Sequence, residues 1–288
     1  MAKRLILYLR LIRIDRPTGY LLLLWPTLWG LWIAADGWPG WHLFLVFTAG
    51  SVLMHSAGCA INDFADMHFD RQVRRTKDRP LATGEIRPVE AIMVAVVLTG
   101  LAFALIWQFS LLTKKIAAVA LFFAATYPWF KRFFAVPQAW LGIAFGFGIP
   151  MAFAAVGGDV PKIAWVLMLA NMFWTLAYDT QYAMVDREDD LKTGMRTSAI
   201  TLGRHDVTGI MLFYGAMLAV FFAAGLYAGL GNCFRVSVAC AALCVILQYS
   251  LIRTRDPKKC YRAFHCNNLI GIALFAGIWL DYAFWAAS

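Results

Sequence analysis

Apolar residues fall in long unbroken runs along this chain, and short polar stretches separate them. Nine runs of roughly 18–22 residues lie near 18–36, 41–61, 91–110, 116–135, 137–157, 163–185, 207–229, 236–252 and 266–286. A helix needs about 20 apolar residues to cross a ~30 Å hydrocarbon core. The runs leave no polar face to present to water, so a soluble helical core does not fit. The pattern predicts an all-α integral membrane protein with nine transmembrane helices, in a single domain spanning residues 1–288. Residues 1–16 mix apolar positions with Lys3, Arg4, Arg10, Arg13 and Arg16, which reads as an amphipathic helix lying on the membrane surface. No small-residue cleavage site follows it, so no removable leader is expected.

Composition sharpens this. The 288 residues are 61% hydrophobic and 15% charged, against about 45–50% and roughly 25% in soluble domains. The net charge of +9 could suggest nucleic acid as a partner. Its distribution argues otherwise. With the N-terminus inside, only Lys114, Lys115, Lys162 and Arg235 of the 26 Lys and Arg residues fall outside. That is the positive-inside bias of membrane insertion. It places the N-terminus on the cytoplasmic side of the membrane and leaves no charge that calls for nucleic acid. Cys59, Cys233, Cys240, Cys244, Cys260 and Cys266 lack metal-ligand spacing, and most adjoin a reducing compartment, so no disulfide framework is expected.

Two inside loops, 62–90 and 186–206, stand out by length, and each opens with acids. The first begins Asn62-Asp63-Phe64-Ala65-Asp66-Met67-His68-Phe69-Asp70. The second follows Tyr178-Asp179 and begins Asp186-Arg187-Glu188-Asp189-Asp190. Asp66 and Asp70 are four apart, so a continuing helix projects both from one face, with Asn62 one turn back. Asp186 and Asp190 repeat that spacing. An offset of 120 residues superimposes the two pairs, and Gly84 meets Gly203 close to it. The chain therefore reads as two related four-helix units plus one helix, with both acidic motifs on the same membrane side. Like charges on adjacent turns repel. A divalent cation removes the cost, and hard oxygen ligands completed by substrate phosphates suit Mg²⁺. Among nearby cations, Arg75, Arg79, Lys131 and Arg132 are candidates to neutralise phosphate oxygens.

These strings carry a resemblance. Asn62…Asp66…Asp70, then Arg75-Thr76…Arg79-Pro80-Leu81…Gly84, then Tyr178-Asp179-Thr180-Gln181-Tyr182-Ala183-Met184-Val185-Asp186…Asp190 resembles the UbiA family of intramembrane prenyltransferases over nearly the whole chain. The resemblance implies nine helices around a central cavity, with Asn62, Asp66, Asp70, Asp186 and Asp190 holding Mg²⁺ and a diphosphate. The Tyr178–Asp186 string is most similar to members that act on 4-hydroxybenzoate. It implies transfer of a polyprenyl chain from polyprenyl diphosphate to the 3-position of that acceptor in ubiquinone biosynthesis, at the cytoplasmic face. The same acids would serve another acceptor, such as a naphthoate, homogentisate or a porphyrin. A cation-coupled transporter is the reading from a different class. Transporters place binding groups near the midplane on broken helices, whereas these acids lie at helix ends.

Other residues complete the expectations. Arg16, at the start of the first run, could meet a benzoate carboxylate, and Tyr178 is a candidate substrate contact. His55 departs from the family, in which an arginine is common there; it reads first as a helix–helix hydrogen bond. Trp38, Trp41 and Trp285 suit an interfacial belt. Gly142, Gly146 and Gly148 suit close helix packing. A lateral opening should admit a hydrophobic tail.

Overall fold

The computed structural model describes residues 2–285. The side chains of Lys3 and Trp285, and position 286 of the last predicted run, lie outside what is described. The described residues are helical, with no strand among them. Helix α1 is Ala2–Leu11, α2 Pro17–Ala34, α3 Trp41–Asp70 and α4 Pro88–Ile106. Next come α5 Leu111–Phe130, α6 Pro137–Gly146, α7 Gly148–Val156 and α8 Lys162–Thr193. The series ends with α9 Ser198–Leu202, α10 Asp206–Tyr227, α11 Asn232–Ile252 and α12 Pro257–Trp285.

Each predicted run falls on a helix, the fifth on the pair α6–α7. Pro150 has no N–H for the Gly146 carbonyl one turn back, which accounts for the break at Phe147. Among the described residues, seven helical segments are long and apolar enough to cross a membrane. The protein is thus a multi-pass membrane protein, but α2 and α8 do not join the seven. Both turn polar or indole-bearing side chains inward: Thr27 and Trp29 on α2, Asn171, Thr175 and Gln181 on α8 are all buried. Elsewhere the apolar surface faces outward, as at Val96, Val97 and Leu101 on α4 and Leu243, Ile246 and Leu247 on α11. In water that surface would drive aggregation; in lipid it is the solvent-facing side. Trp38 and Trp41 are exposed, as a belt requires, while Trp29 and Trp174 are fully buried.

Helix α1 does more than lie on a surface. Leu7 and Leu11 are buried against Ala60, Leu81 and Ile86, whereas Leu5, Ile6 and Leu9 stay exposed. One apolar side therefore packs on the protein and another remains for lipid.

The two halves repeat a packing pattern: α3 packs on α2 and α4 much as α8 packs on α6 and α10. The expected glycine contacts are present. A Cβ at Gly142 would come within 3.1 Å of the Met172 backbone, and one at Gly146 within 2.7 Å of Met168. Behind this seam lies a buried amide network. Asn267 accepts from Trp174 Nε1 (3.0 Å) and Tyr214 (2.7 Å) and donates to Gln181 (3.0 Å). Gln248 accepts from Gln181 (2.7 Å) and from Tyr214 (2.8 Å). It ties α8, α10, α11 and α12 together.

Candidate active site

The acids do not sit in loops. Helix α3 has 30 residues and α8 has 32. At 1.5 Å per residue each is about 45 Å long, well beyond a ~30 Å core. Their last turns form helical stubs that carry the two motifs. The first stub ends at Asp70, where the Thr76 hydroxyl and the Val73 N–H take its carbonyl. The second ends at Gly194, whose φ of +73° is left-handed and which closes α8 through its N–H on the Asp190 carbonyl. The loops proper are residues 71–87 and 194–197.

Segment 71–87 brings the stubs together. It is anchored by buried Val73, Leu81 and Ile86 and by Arg71, which donates to the Ala82 carbonyl at 2.9 Å. Arg74 reaches Glu188 at 2.7 Å, and its backbone N–H reaches Asp189 at 3.0 Å. Arg75 grips Asp186, with Nε 3.0 Å from each carboxylate oxygen, and lies over the Tyr182 ring at 4.5 Å. Burial works against the charge on Arg75, but Tyr182 and Asp186 more than offset it, so its pKa rises above the ordinary arginine value.

Between the stubs is a cavity of about 420 Å³. Asn62, Asp66, Asp70, Asp186, Asp190, Arg16, Arg75, Arg79, Lys131 and Tyr178 all line it. Lys131 bridges Asn62 Oδ1 (2.8 Å) and Asp66 Oδ2 (3.0 Å), and lies over Tyr127. Arg79 meets Asp70 Oδ2 at 2.8 Å. Tyr178 is buried, edge-on to Trp174, with its hydroxyl accepting from Thr175 at 3.0 Å. Two expected members behave differently. Arg132 is not among the lining residues; it is exposed, donates to the Ala65 carbonyl at 2.8 Å and covers the Phe69 ring. Arg16 stands at the cavity edge, its side chain 63% exposed and 3.8 Å from Asp15. His55 makes no helix–helix hydrogen bond among the described residues. Its ring fills the space where a Cβ of Gly19 would be, and its near polar neighbour is Cys59, one turn along the same helix.

Two residues escaped the sequence reading. Asp63 is 1% exposed and pairs with Arg79 (3.0 Å) and with Arg13. Arg13, expected on the membrane surface, reaches into the cavity. Burial opposes its charge, but Asp63 outweighs that, and its pKa rises. The missed signal was Asp63 itself, an acid off the face shared by Asn62, Asp66 and Asp70.

The donor set fits a divalent ion. No three His, Cys, Asp or Glu side chains among the described residues come close enough to hold an ion by themselves. Mg²⁺ does not require that, since it binds through one or two carboxylates plus waters and phosphate oxygens. Asp66 Oδ1 is buried without a hydrogen-bond partner. A buried carboxylate oxygen left that way is costly unless a cation meets it.

A sequence profile of the UbiA prenyltransferase family matches residues 23–277. The chain belongs to the UbiA prenyltransferase family. This UbiA-family chain is 57% identical over 279 residues to a 4-hydroxybenzoate octaprenyltransferase of Herminiimonas arsenicoxydans, covering 97% of this chain and 98% of the relative. It is 58% identical over 283 residues to that of Cupriavidus necator, covering 98% and 99%. Among solved structures, the apo form of a UbiA homolog from Aeropyrum pernix K1 superimposes with a TM-score of 0.80 at 25% identity, over 91% of this chain and 97% of that one. A UbiA homolog from Archaeoglobus fulgidus, solved bound to GPP and Mg²⁺, gives 0.71 at 17% identity over 96% and 99%. At that identity the likeness concerns the fold.

Proposed function

We propose that this protein transfers a polyprenyl chain from polyprenyl diphosphate to the 3-position of 4-hydroxybenzoate, the product being a ubiquinone precursor. The observation that carries this is the convergence of two acidic stubs on one cavity, faced by Lys131, Arg75 and Arg79. The similar enzymes of Herminiimonas and Cupriavidus supply the acceptor.

Asp66, Asp70, Asp186 and Asp190 would hold Mg²⁺, which when bound neutralises the leaving diphosphate. Lys131, Arg75 and Arg79 each lie against a motif carboxylate, so they stand where phosphate oxygens accumulate charge. Tyr127, Tyr178 and Tyr182 line the same space and offer aromatic faces to an allylic cation while excluding water. The allylic C–O bond breaks, the ring carbon ortho to the phenol oxygen forms the new C–C bond, and loss of its proton restores aromaticity. An apolar arm of the cavity, lined by Leu22, Phe47, Phe103, Leu121 and Phe145, takes the tail. Phe103 on α4 and Leu121 on α5 are also exposed, which favours a lateral opening there. The charge asymmetry of the loops favours a cytoplasmic position for the stubs at the inner membrane.

The test is prenyl transfer by purified protein in liposomes, with isotope-labelled polyprenyl diphosphate and 4-hydroxybenzoate. The expected result is a 3-prenylated product, no formation in EDTA, and recovery on adding Mg²⁺. Full turnover in metal-free buffer would remove the metal role, and solute uptake without product would favour a transporter.

A further inference from the structure

We infer that Asp179 takes the phenolic proton of the acceptor as the new carbon–carbon bond forms; this rests on the proposed acceptor class. Five acids line the cavity: Asp66, Asp70, Asp179, Asp186 and Asp190. Four belong to the two motifs at the stub ends. Asp179 is the fifth, and the proposed metal and diphosphate roles leave it unused. It stands seven residues before Asp186 on α8. Seven residues make nearly two turns, so the two carboxylates share one face, and Asp179 lies about 10 Å further into the membrane. An ionisable side chain at that depth is costly and by default has a task.

The cations nearest to Asp179 are committed elsewhere: Lys131 pairs with Asp66 and Arg75 with Asp186. Asp179 itself makes no ion pair among the described residues. Its close company is neutral, the Tyr127 hydroxyl from α5 and the Gln138 amide from α6. Gln138 is buried and held from behind, because its Oε1 accepts the Ser198 N–H at 2.9 Å. That leaves its amide N–H groups for Asp179. A carboxylate has about four lone-pair sites. Two neutral donors therefore orient Asp179 and leave it acceptor capacity toward the cavity. A neutral phenol matches that vacancy, since it has one O–H to give and no charge to desolvate. The depth matches too. On the proposed function the diphosphate sits at the stubs, the breaking C–O bond lies beneath it, and the acceptor ring comes next, toward the level of Asp179.

The step balances. The phenol O–H proton passes to the Asp179 carboxylate, and the freed oxygen pair feeds the ring. The ortho carbon bonds to the allylic carbon, whose former bonding pair leaves with the diphosphate. The proton on that ring carbon then passes to the diphosphate, its C–H pair restores aromaticity, and Asp179 returns its proton to the ring oxygen.

The experiment compares 4-hydroxybenzoate with 3-fluoro-4-hydroxybenzoate, whose phenol gives up its proton more readily and which keeps one ortho carbon free. Asp179→Asn should lower kcat for 4-hydroxybenzoate about 10²-fold, the lower end of what a positioned base contributes, and leave the KM for the prenyl diphosphate within about twofold of the unmodified enzyme. With the fluorinated acceptor the same variant should lose about fivefold less, because a more acidic phenol depends less on its base. Loosened packing alone would cost both acceptors equally. Asp179→Glu, which keeps a base on a longer stem, should show the same pattern at smaller size; it decides the matter if Asp179→Asn does not fold. Equal losses with the two acceptors, or a loss confined to the KM of the prenyl diphosphate, would overturn the assignment. If the unmodified enzyme prenylates neither acceptor, the proposed function fails, and this inference with it.

Discussion

Lys131 and Arg132 adjoin in sequence, and the helix end separates their tasks. Lys131 enters the cavity between Asn62 and Asp66, whereas Arg132 turns out to clamp the α3 backbone at Ala65. Lys131→Ala should lower kcat/KM for the prenyl diphosphate by about 10²-fold, ~2.7 kcal/mol. Arg132→Ala should stay within about tenfold and act mainly through the thermal midpoint. Steady-state kinetics of both variants checks this, and equal losses would put Arg132 back in the site. At this scale the sequence was legible where a helical period applies. Asp66/Asp70 and Asp186/Asp190 share a face because residues four apart must. It was not legible at Arg13, whose direction depends on a left-handed turn that no side-chain pattern announces. Asp63 was read as part of the first motif, yet its position next to Asn62 turns it to Arg13 and Arg79.

Helices as units were legible from apolar runs, but their ends were not. Hydropathy falls where the bilayer ends, while the i to i−4 hydrogen bonds of α3 and α8 continue to Asp70 and Thr193. Apolar runs also concealed what holds α8 in place. Gln181, Gln248 and Asn267 interrupt three of them, and together with Trp174 and Tyr214 they form one buried network. Hydrogen bonds between membrane helices contribute about 0.6 kcal/mol each on average, up to ~1.7. Asn267→Ala breaks three at once and leaves their partners buried, so it should lower the thermal midpoint clearly. Because none of these three bonds involves the acids, the KM of either substrate should change by less than about threefold. A large KM change at an unaltered midpoint would show that the network shapes the cavity itself.

At the scale of the whole molecule, the basic loops and the two stubs belong to one polarity. If the stubs are cytoplasmic, a cysteine at Asp78 in an otherwise cysteine-free protein should react with an impermeant maleimide from the inside of the cell, and one at Asp159 from the outside. The reverse labelling would invert the topology. On the proposed function, the fold has one consequence that no single half could have: each stub would supply only part of a shared site. Asp190 has no side-chain hydrogen bond or ion pair among the described residues, Asp66 has an unpartnered buried oxygen, and both line the same cavity. The most direct measurement is prenyl transfer by Asp70→Asn and Asp190→Asn, each against Asp159→Asn in the α7–α8 loop. Both motif variants should lose about 10²-fold or more in kcat, ~2.7 kcal/mol of barrier, while Asp159→Asn keeps a near-normal rate. The double variant should lose less than the sum if, as proposed, the residues act on one ion–diphosphate unit. An Asp190→Asn enzyme as active as Asp159→Asn would contradict a site built from both halves.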